Sequence, residues 1–128
     1  MIYKTNPFPS NDALNILFSS AWGGTSDKDF ASILSHSLAH ICAYDGGTLI
    51  GFVNIAWDGD VHAFILDTSV HKDYQRQGIA TTLVKHAADT AQQAGVEWLH
   101  VDYDPHLSGF YQDCGFKPTD AGLMNLKK

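Results

Sequence analysis

The chain has 128 residues, of which 45% are hydrophobic and 17% are charged, and its net charge at pH 7 is −6. That length and composition suit one compact domain over residues 1–128. The negative charge disfavours a nucleic-acid partner, and no apolar run reaches the length of a membrane span. Residues 1–10 lack the apolar segment of a signal peptide, and two distant cysteines are typical of free thiols, so we expect a cytoplasmic protein.

The first part of the chain carries the patterns of a short strand and two helices. Residues Ile2 to Thr5 favour a strand, and the turn after them leads to Ser10, which suits the N-cap of a helix over residues 11–20. Ser26 or Asp27 suits the N-cap of a second helix.

Three β-favouring runs follow, separated by two strong turn sequences. Residues 41–44 and 49–57 flank Asp-Gly-Gly, and Asp-Gly-Asp then leads into an apolar run over residues 63–70. Runs joined by such short turns predict an antiparallel meander of three strands. The third run is the most apolar, so we expect it to be largely buried.

A polar loop and a long amphipathic helix follow the third run. Apolar residues recur at helical spacing from Ile79 to Ala91, and Gly95 stands where a helix would end in a left-handed cap. The first turn of a helix has N–H groups without intrahelical partners, and together with the macrodipole they favour an anion. Gly78 allows a ligand to approach this backbone closely, and Arg76 adds a planar cation suited to phosphate. The stretch therefore predicts a phosphate or diphosphate site.

The same stretch resembles the acetyl-CoA signature of the GNAT superfamily of N-acetyltransferases, Q/R-x-x-G-x-G/A at the start of a helix. The segment from Gln75 to Ala80 fills that pattern, with alanine in the final small position, and no other phosphate-binding sequence pattern competes with it. The resemblance implies that the helix start binds the pyrophosphate of acetyl-CoA and that the end of the preceding strand binds its pantetheine arm. The residues implied are Thr68, Ser69, Val70, Arg76, Gln77, Gly78, Ile79, Ala80 and Thr81.

Beyond the long helix the chain predicts a strand over residues 97–103, a short helix and a last β element. The strands before and after the long helix should form a right-handed parallel unit. Asp104 and Pro105 suit the start of the short helix, and residues 116–126 would return as a final strand or hairpin. The prediction is a mixed α/β fold, an antiparallel meander followed by a parallel βαβ unit, as the GNAT resemblance also implies.

The short helix resembles a second GNAT pattern, N-x-x-A-x-x-F-Y-x-x-x-G-F. The matching residues are Phe110, Tyr111, Gly115 and Phe116. Two positions depart from the pattern, because Asp104 stands for the usual Asn and Leu107 for the usual Ala. That Asn often hydrogen-bonds CoA, so Asp104 is the candidate contact at this position, although a carboxylate can only accept such a bond.

Acetyl transfer to an amine requires a proton donor for the leaving thiolate and an acceptor for the amine proton. The resemblance implies that Tyr111 is the donor, and a phenol with a pKa near ~10 is protonated at neutral pH. Asp67 on the third strand and His100 on the next strand are both candidate bases, and ordered water is a third candidate.

In the GNAT fold the two N-terminal helices usually form part of the acceptor site. The resemblance therefore makes acceptor contacts of Trp22, Asp27, Asp29 and Phe30, although packing and helix-start charges explain the same residues. The expected acceptor is a small-molecule or peptide amine. No histidine or cysteine cluster has the spacing of metal ligands, so no metal is expected. GNAT domains often pair through their strands, which implies a homodimer.

The leading prediction is an acetyl-CoA-dependent N-acetyltransferase acting on a primary amine. The alternative is a non-catalytic CoA-binding sensor or interaction module on the same fold. Tyr111 favours the enzyme, whereas Asp104 in the place of Asn favours the alternative. A third prediction is an acyltransferase that uses a longer acyl donor, and the depth of the pocket distinguishes it from an acetyltransferase.

Overall fold

The computed structural model describes residues 1–127, which form one five-stranded sheet and four α-helices. The strands are β1 (Ile2–Thr5), β2 (Ser37–Asp45), β3 (Thr48–Trp57), β4 (His62–Val70) and β5 (Trp98–Val101). The helices are α1 (Asn11–Trp22), α2 (Phe30–Leu34), α3 (Ile79–Gln93) and α4 (Ser108–Asp113), with 3-10 turns at Lys72–Tyr74 and Pro105–Leu107. No helix within this described part of the chain is both long and apolar enough to cross a bilayer.

The strands lie in the sheet in the order of the sequence, β1-β2-β3-β4-β5. Neighbouring strands are antiparallel from β1 to β4, whereas β4 and β5 are parallel and are joined by α3. The meander and the parallel βαβ unit predicted from the sequence are therefore confirmed. The last strand is shorter than predicted, because it ends at Val101 rather than at residue 103.

One face of the sheet is covered by α3. The apolar side of this helix packs on the strands through a set of fully buried aliphatic residues, among them Ile41, Val53, Ile55, Ala63, Leu83 and Ala87. Gly51 of β3 allows the close approach, because a Cβ there would lie 3.0 Å from Leu83 Cδ1 and 3.1 Å from Ala43 Cβ. This packing fixes the N-terminus of α3 beside the end of β4.

The opposite face is covered by α1 and α2, but only in part. Their buried side chains contact β2 and β3 in a second core of Leu14, Leu17, Phe18, Phe30, Leu34, Cys42 and Phe52. The Phe18 and Phe30 rings meet edge to face, 4.8 Å between centroids. α1 meets β4 near its C-terminal end, where Trp22 contacts Ser69. The rest of β4 and β5 lies beyond this helical layer.

The predicted N-cap of α1 is confirmed, whereas the predicted N-caps of α2 are corrected. Ser10 caps α1, since the Ala13 N–H donates to its Oγ at 3.1 Å. The predicted caps of α2, Ser26 and Asp27, were wrong, because Asp29 accepts the Ser32 N–H at 3.3 Å.

A side chain of α1 explains why the second helix starts late. The Oδ1 atom of Asn15 accepts the Ser26 hydroxyl at 2.5 Å and the Lys28 N–H at 2.8 Å. These bonds hold the segment against α1 as a loop, so the helix begins at Phe30.

The final strand predicted over residues 116–126 was wrong, because those residues lie in no helix or strand. Pro118 removes a ladder donor and Gly122 weakens a strand, which disfavours pairing with β5. The side chains of Leu123 and Leu126 are 87% and 83% exposed, so these apolar residues do not pack against the sheet. The outer edge of β5 has no strand partner within residues 1–127.

Candidate functional site

The candidate site begins with a bulge in β4. Asn54 of β3 pairs with Leu66 and Phe52 pairs with Ser69, so one intervening residue of β3 faces two residues of β4. Asp67 occupies this bulge with φ +59°, a left-handed conformation that aspartate tolerates better than most residues. The bulge therefore interrupts the regular alternation of side chains and directs a carboxylate-bearing residue out of the ladder.

Next to the bulge, β4 and β5 part from each other. Their parallel pairing ends at Ile65 and Val101, after which β5 stops and the chain turns towards α4. The edge of β4 over residues 66–70 then has no strand partner on this side within residues 1–127. A cavity of about 610 Å³ lies here, lined from one side by β4 and from the other by α4.

The N-terminus of α3 forms another wall of this larger cavity. Gly78 caps the helix in the left-handed region, φ +81°, and offers no side-chain hydrogen bond. The first helical bond runs from the Thr82 N–H to the Gly78 carbonyl, so the N–H groups of Ile79, Ala80 and Thr81 precede it. All three residues line the cavity, which makes this wall a set of backbone donors suited to an anion.

The loop before α3 is anchored at several points. The Gln75 amide donates to the Val70 carbonyl at 3.0 Å, and the Lys72 N–H donates to Ser20 Oγ at 3.1 Å. The Tyr74 hydroxyl donates to Asp45 at 2.6 Å, and this hydrogen bond raises the pKa of Tyr74. These bonds fix the loop between the sheet and α1 before a ligand arrives.

Tyr111 lies on the α4 side of the larger cavity and is 7% exposed. Its ring stacks on Tyr103 at 5.0 Å and meets Phe116 edge to face at 5.8 Å. Burial raises the pKa of the Tyr111 phenol, and the neighbouring Thr68 hydroxyl partly opposes this shift. Thr68 Oγ1 is itself buried, with no partner in hydrogen-bond geometry in the described chain. Two hydroxyl groups thus meet on the cavity wall, and one of them has unused hydrogen-bonding capacity.

A smaller cavity of about 320 Å³ lies beside the bulge. Its lining residues are Phe18, Trp22, Gly23, Thr25, Ser26, Lys28 and Asp67. Trp22 also lines the larger cavity, so the two cavities share this residue. The Trp22 indole N–H donates to Ser69 Oγ at 2.9 Å, and Ser69 Oγ donates to the Asp67 carbonyl at 2.9 Å. This chain of bonds holds the wall and the bulge together.

The structure places the two candidate bases differently. Asp67 lines the smaller cavity, next to Trp22. His100 lies on the sheet face outside both cavities, with its Nε2 atom 3.0 Å from His62 Nδ1 and its ring stacked on Phe64 at 4.6 Å. Only Asp67 therefore lies where it meets a ligand in either cavity.

Most residues implied for CoA line the larger cavity, namely Thr68, Ser69, Val70, Arg76, Gly78, Ile79, Ala80 and Thr81. The other two do not, because Gln77 and Asp104 are exposed outside it. Asp104 precedes the Pro105–Leu107 turn and makes no side-chain cap.

Of the four acceptor candidates, Trp22 lines both of these cavities and the other three line neither. Asp27 is exposed and lines neither cavity, and Asp29 caps α2. Phe30 is 0% exposed and packs between Phe18 and Phe52 in the core under α1 and α2.

Several lining residues were not predicted from the sequence: Ala21, Tyr74, His106, Leu107 and Phe110. Leu107, Phe110 and Tyr111 stand at helical spacing, and this signal could have placed the first two beside the tyrosine. No sequence signal marks Ala21, because it enters the cavity only through the docking of α1 on β4.

Within residues 1–127 no group of three or more histidine, cysteine or acidic side chains is placed to hold a metal ion. His36 follows α2, whereas His40 is buried in β2. Burial lowers the pKa of His40 to about 4, and its Nε2 accepts the Phe8 N–H at 3.0 Å. His40 is therefore a neutral core residue.

Comparison with known proteins gives relatives of this architecture. The chain is 27% identical over 78 residues to "Uncharacterized N-acetyltransferase ycf52" of Gracilaria tenuistipitata var. liui, a match to 61% of this chain and 43% of the relative. The chain spans less than half the length of the curated relatives it matches.

Solved structures match nearly the whole chain. A probable acetyltransferase of unknown function from meticillin-resistant Staphylococcus aureus is 25% identical with a TM-score of 0.82, covering 99% of this chain and 100% of that one. AAC(6')-Iy, solved in complex with the bisubstrate analogue CoA-S-monomethyl-acetylneamine, shares the fold at 18% identity with a TM-score of 0.74, covering 100% and 99%.

The family model described as "Acetyltransferase (GNAT) family" matches residues 10–116, from the cap of α1 to the end of the α4 segment. The matched stretch includes the bulge of β4, the start of α3 and Tyr111, from which both cavities are built. The chain belongs to the GNAT family of acetyltransferases.

Proposed function

We propose that the protein transfers an acetyl group from acetyl-CoA to a primary amine. The donor binds in the larger cavity and the amine in the smaller one. The observation that carries this proposal is that the two cavities share Trp22 as a lining residue, with Tyr111 lining the first and Asp67 lining the second. A proton donor and a proton acceptor thus lie on the two sides that direct transfer requires.

Several groups of the larger cavity suit acetyl-CoA. The N–H groups of Ile79, Ala80 and Thr81 and the cation of Arg76 would hold the pyrophosphate. The open edge of β4 offers peptide groups to the amide-rich pantetheine arm. The CoA-containing analogue bound to AAC(6')-Iy supports the same class of ligand here.

When bound, acetyl-CoA supplies an activated acyl group and leaves as a thiolate. Tyr111 donates its phenolic proton or a strong hydrogen bond to that sulfur. Because burial raises the phenol's pKa, Tyr111 keeps its proton at neutral pH. Burial disfavours the charged thiolate as well, so the leaving sulfur also favours its protonated form in the cavity.

Asp67 binds the acceptor's ammonium group and accepts the first proton, which the nitrogen must lose before its lone pair can attack. Once the C–N bond has formed and the C–S bond breaks, Tyr111 protonates the sulfur, and the second nitrogen proton passes directly or through water to the Tyr111 phenolate. We favour Asp67 over His100 because Asp67 lines the acceptor cavity and His100 lines neither cavity. Trp22 forms the shared wall and orients the amine towards the donor, with its indole held by Ser69. A water molecule between Asp67 and the amine is compatible with the same role.

The test combines a binding measurement with a transfer measurement. Acetyl-CoA at 100 times its Kd should raise the free energy of unfolding by about 2.7 kcal/mol. Thermal unfolding measures this stabilisation, and calorimetry measures the binding. A panel of small amines, polyamines, amino acids and peptides is then tested for release of free thiol and for the acetylated product. No binding at millimolar acetyl-CoA contradicts the proposal, and binding without transfer to any amine favours a CoA-binding sensor or interaction module.

A further inference from the structure

The face of the sheet that α1 and α2 leave open carries apolar and aromatic side chains. Phe64 and Leu66 of β4 are each 41% exposed, and Trp98 of β5 is 57% exposed. His62 and His100 lie among them. These five residues are called the aromatic surface below.

Strand register shows that the aromatic surface is one continuous face. Ala63 and Ile65 point into the core under α3, so His62, Phe64 and Leu66 point to the other side. In the parallel register His62 is level with Trp98 and Phe64 with His100. The Phe64–His100 stacking and the short His62–His100 contact link the two strands.

This face runs directly into the acceptor cavity. Leu66 is followed by Asp67, which lines that cavity. From His62 to Leu66 the strand rises roughly 13 Å, with side chains about 6.6 Å apart. An extended peptide carries alternate side chains at the same spacing, whereas a small amine would fill the cavity alone and leave this face in water.

Charges at the ends of the aromatic surface favour one kind of peptide. Asp58 and Asp60 are exposed in the turn before β4, Glu97 is exposed just before β5, and Asp67 stands at the other end. The whole chain has a net charge of −6. An ammonium terminus suits Asp67, and apolar or basic side chains suit the remainder better than acidic ones.

We propose that the aromatic surface docks an extended peptide whose N-terminal amine enters the cavity at Asp67. The acceptor class is then a polypeptide N-terminus with apolar side chains at alternating positions, rather than a free small amine. This inference rests on the proposed acetyl transfer and names the acceptor of that same site.

The test compares three acceptors that share one amine: alaninamide, the tetrapeptide amide Ala-Leu-Ser-Phe and its polar match Ala-Ser-Ser-Ser. We expect kcat/KM for the apolar peptide to exceed that for the other two by at least ~10-fold, because only it covers the exposed apolar side chains. Equal kcat/KM for all three acceptors overturns the proposal.

Two variants connect that preference to the surface. Phe64→Thr and Leu66→Thr keep a strand-favouring residue and remove the apolar contact, so the ratio between the two peptides should fall towards one. Ile2→Thr is the matched control, since Ile2 is 60% exposed on β1 at the other edge of the sheet. An unchanged ratio in both surface variants overturns the proposal.

Calorimetry of the apolar peptide with the CoA-loaded protein separates this inference from the proposed function. Binding that Phe64→Thr weakens, without acetylation of any acceptor, contradicts the enzyme and supports the docking surface. Neither binding nor transfer contradicts both. Sedimentation that shows a dimer abolished by Phe64→Thr assigns the surface to a second copy of the chain and overturns the peptide proposal.

Discussion

The two halves of one sheet face differ in how they are covered. Under α1 and α2, the β2–β3 half is closed, and Phe30, Cys42 and Phe52 are each 0% exposed there. Burial in this closed half raises the pKa of Cys42 to about 12. The β4–β5 half is open, with Phe64 and Trp98 exposed, and both cavities lie at its end. On this face of the sheet the buried apolar contacts lie in the closed half, so substitutions there should lower stability, whereas substitutions in the open half should lower binding or turnover.

The largest expected effect is on the closed half. Phe30→Ala should lower the unfolding free energy by about 3–5 kcal/mol, because it leaves a cavity between Phe18 and Phe52. Trp22→Ala, at a position that is 66% exposed, should cost about 1 kcal/mol. Urea unfolding measures both, and Phe30→Leu replaces the alanine variant if that variant does not fold. Equal losses at the two positions would contradict the division into halves.

At the larger cavity, Gly78→Val should raise the Kd for acetyl-CoA by ~100-fold or more, a loss of about 2.7 kcal/mol of binding free energy. The substitution strains a residue at φ +81° and places a branched side chain before the helix N–H groups. Gly95→Val is the control, since Gly95 has φ +89° at the other end of α3 with equally open space around it. A Kd for Gly78→Val that calorimetry finds equal to that of the parent would contradict an anion site at the N-terminus of α3.

The pH dependence of stability tests the closed half again. Burial lowers the pKa of His40 from 6.5 to about 4, so at pH 5 the unfolded chain binds a proton at this residue and the folded chain does not. The unfolding free energy should therefore be highest above pH 6.5 and fall by about 2 kcal/mol between pH 7 and pH 5. In His40→Leu that part of the fall should vanish. Identical pH profiles for parent and variant would show that His40 titrates normally.

A smaller effect is expected on the binding of the amine acceptor. Asp67→Asn should raise KM for the amine about ten-fold, roughly 1.4 kcal/mol, because it removes the charge facing the ammonium, and kcat should fall as well because the proton acceptor is lost. KM for acetyl-CoA should stay within about two-fold. Asp27→Asn removes an exposed carboxylate that lines neither cavity and is the matched control. Equal KM changes in the two variants would indicate a diffuse field effect rather than a contact.

The same division explains what the sequence could predict. One wall of the larger cavity is made by residues close together in the sequence, since a strand end, Gly78 and the first turn of α3 present backbone groups whose positions follow from local structure. The smaller cavity brings together Trp22, Lys28 and Asp67, and Asp67 is far from the other two in the sequence. Their meeting depends on how α1 docks and on a β-bulge, and neither leaves a periodic pattern.

The environment of Phe30 was also beyond a local pattern. The resemblance made Phe30 a candidate acceptor contact with core packing as the alternative, and the side chain is 0% exposed in the core. The late start of α2 depends on the Asn15 side chain, a contact made across the tertiary structure. The final strand predicted over residues 116–126 does not form, because strand propensity alone does not supply a partner edge and an apolar face.

The most direct test of the central claim is Tyr111→Phe, measured beside Tyr103→Phe with an amine that the parent acetylates. Both substitutions keep a ring in the same stack, but only Tyr111 lines the larger cavity. If the phenol supplies the proton to the leaving sulfur, kcat in single-turnover conditions should fall ~10²-fold in Tyr111→Phe, with the Kd for acetyl-CoA nearly unchanged. Tyr103→Phe should remain near the parent. Equal single-turnover rates for the parent and Tyr111→Phe would contradict the account and make Tyr111 a packing residue.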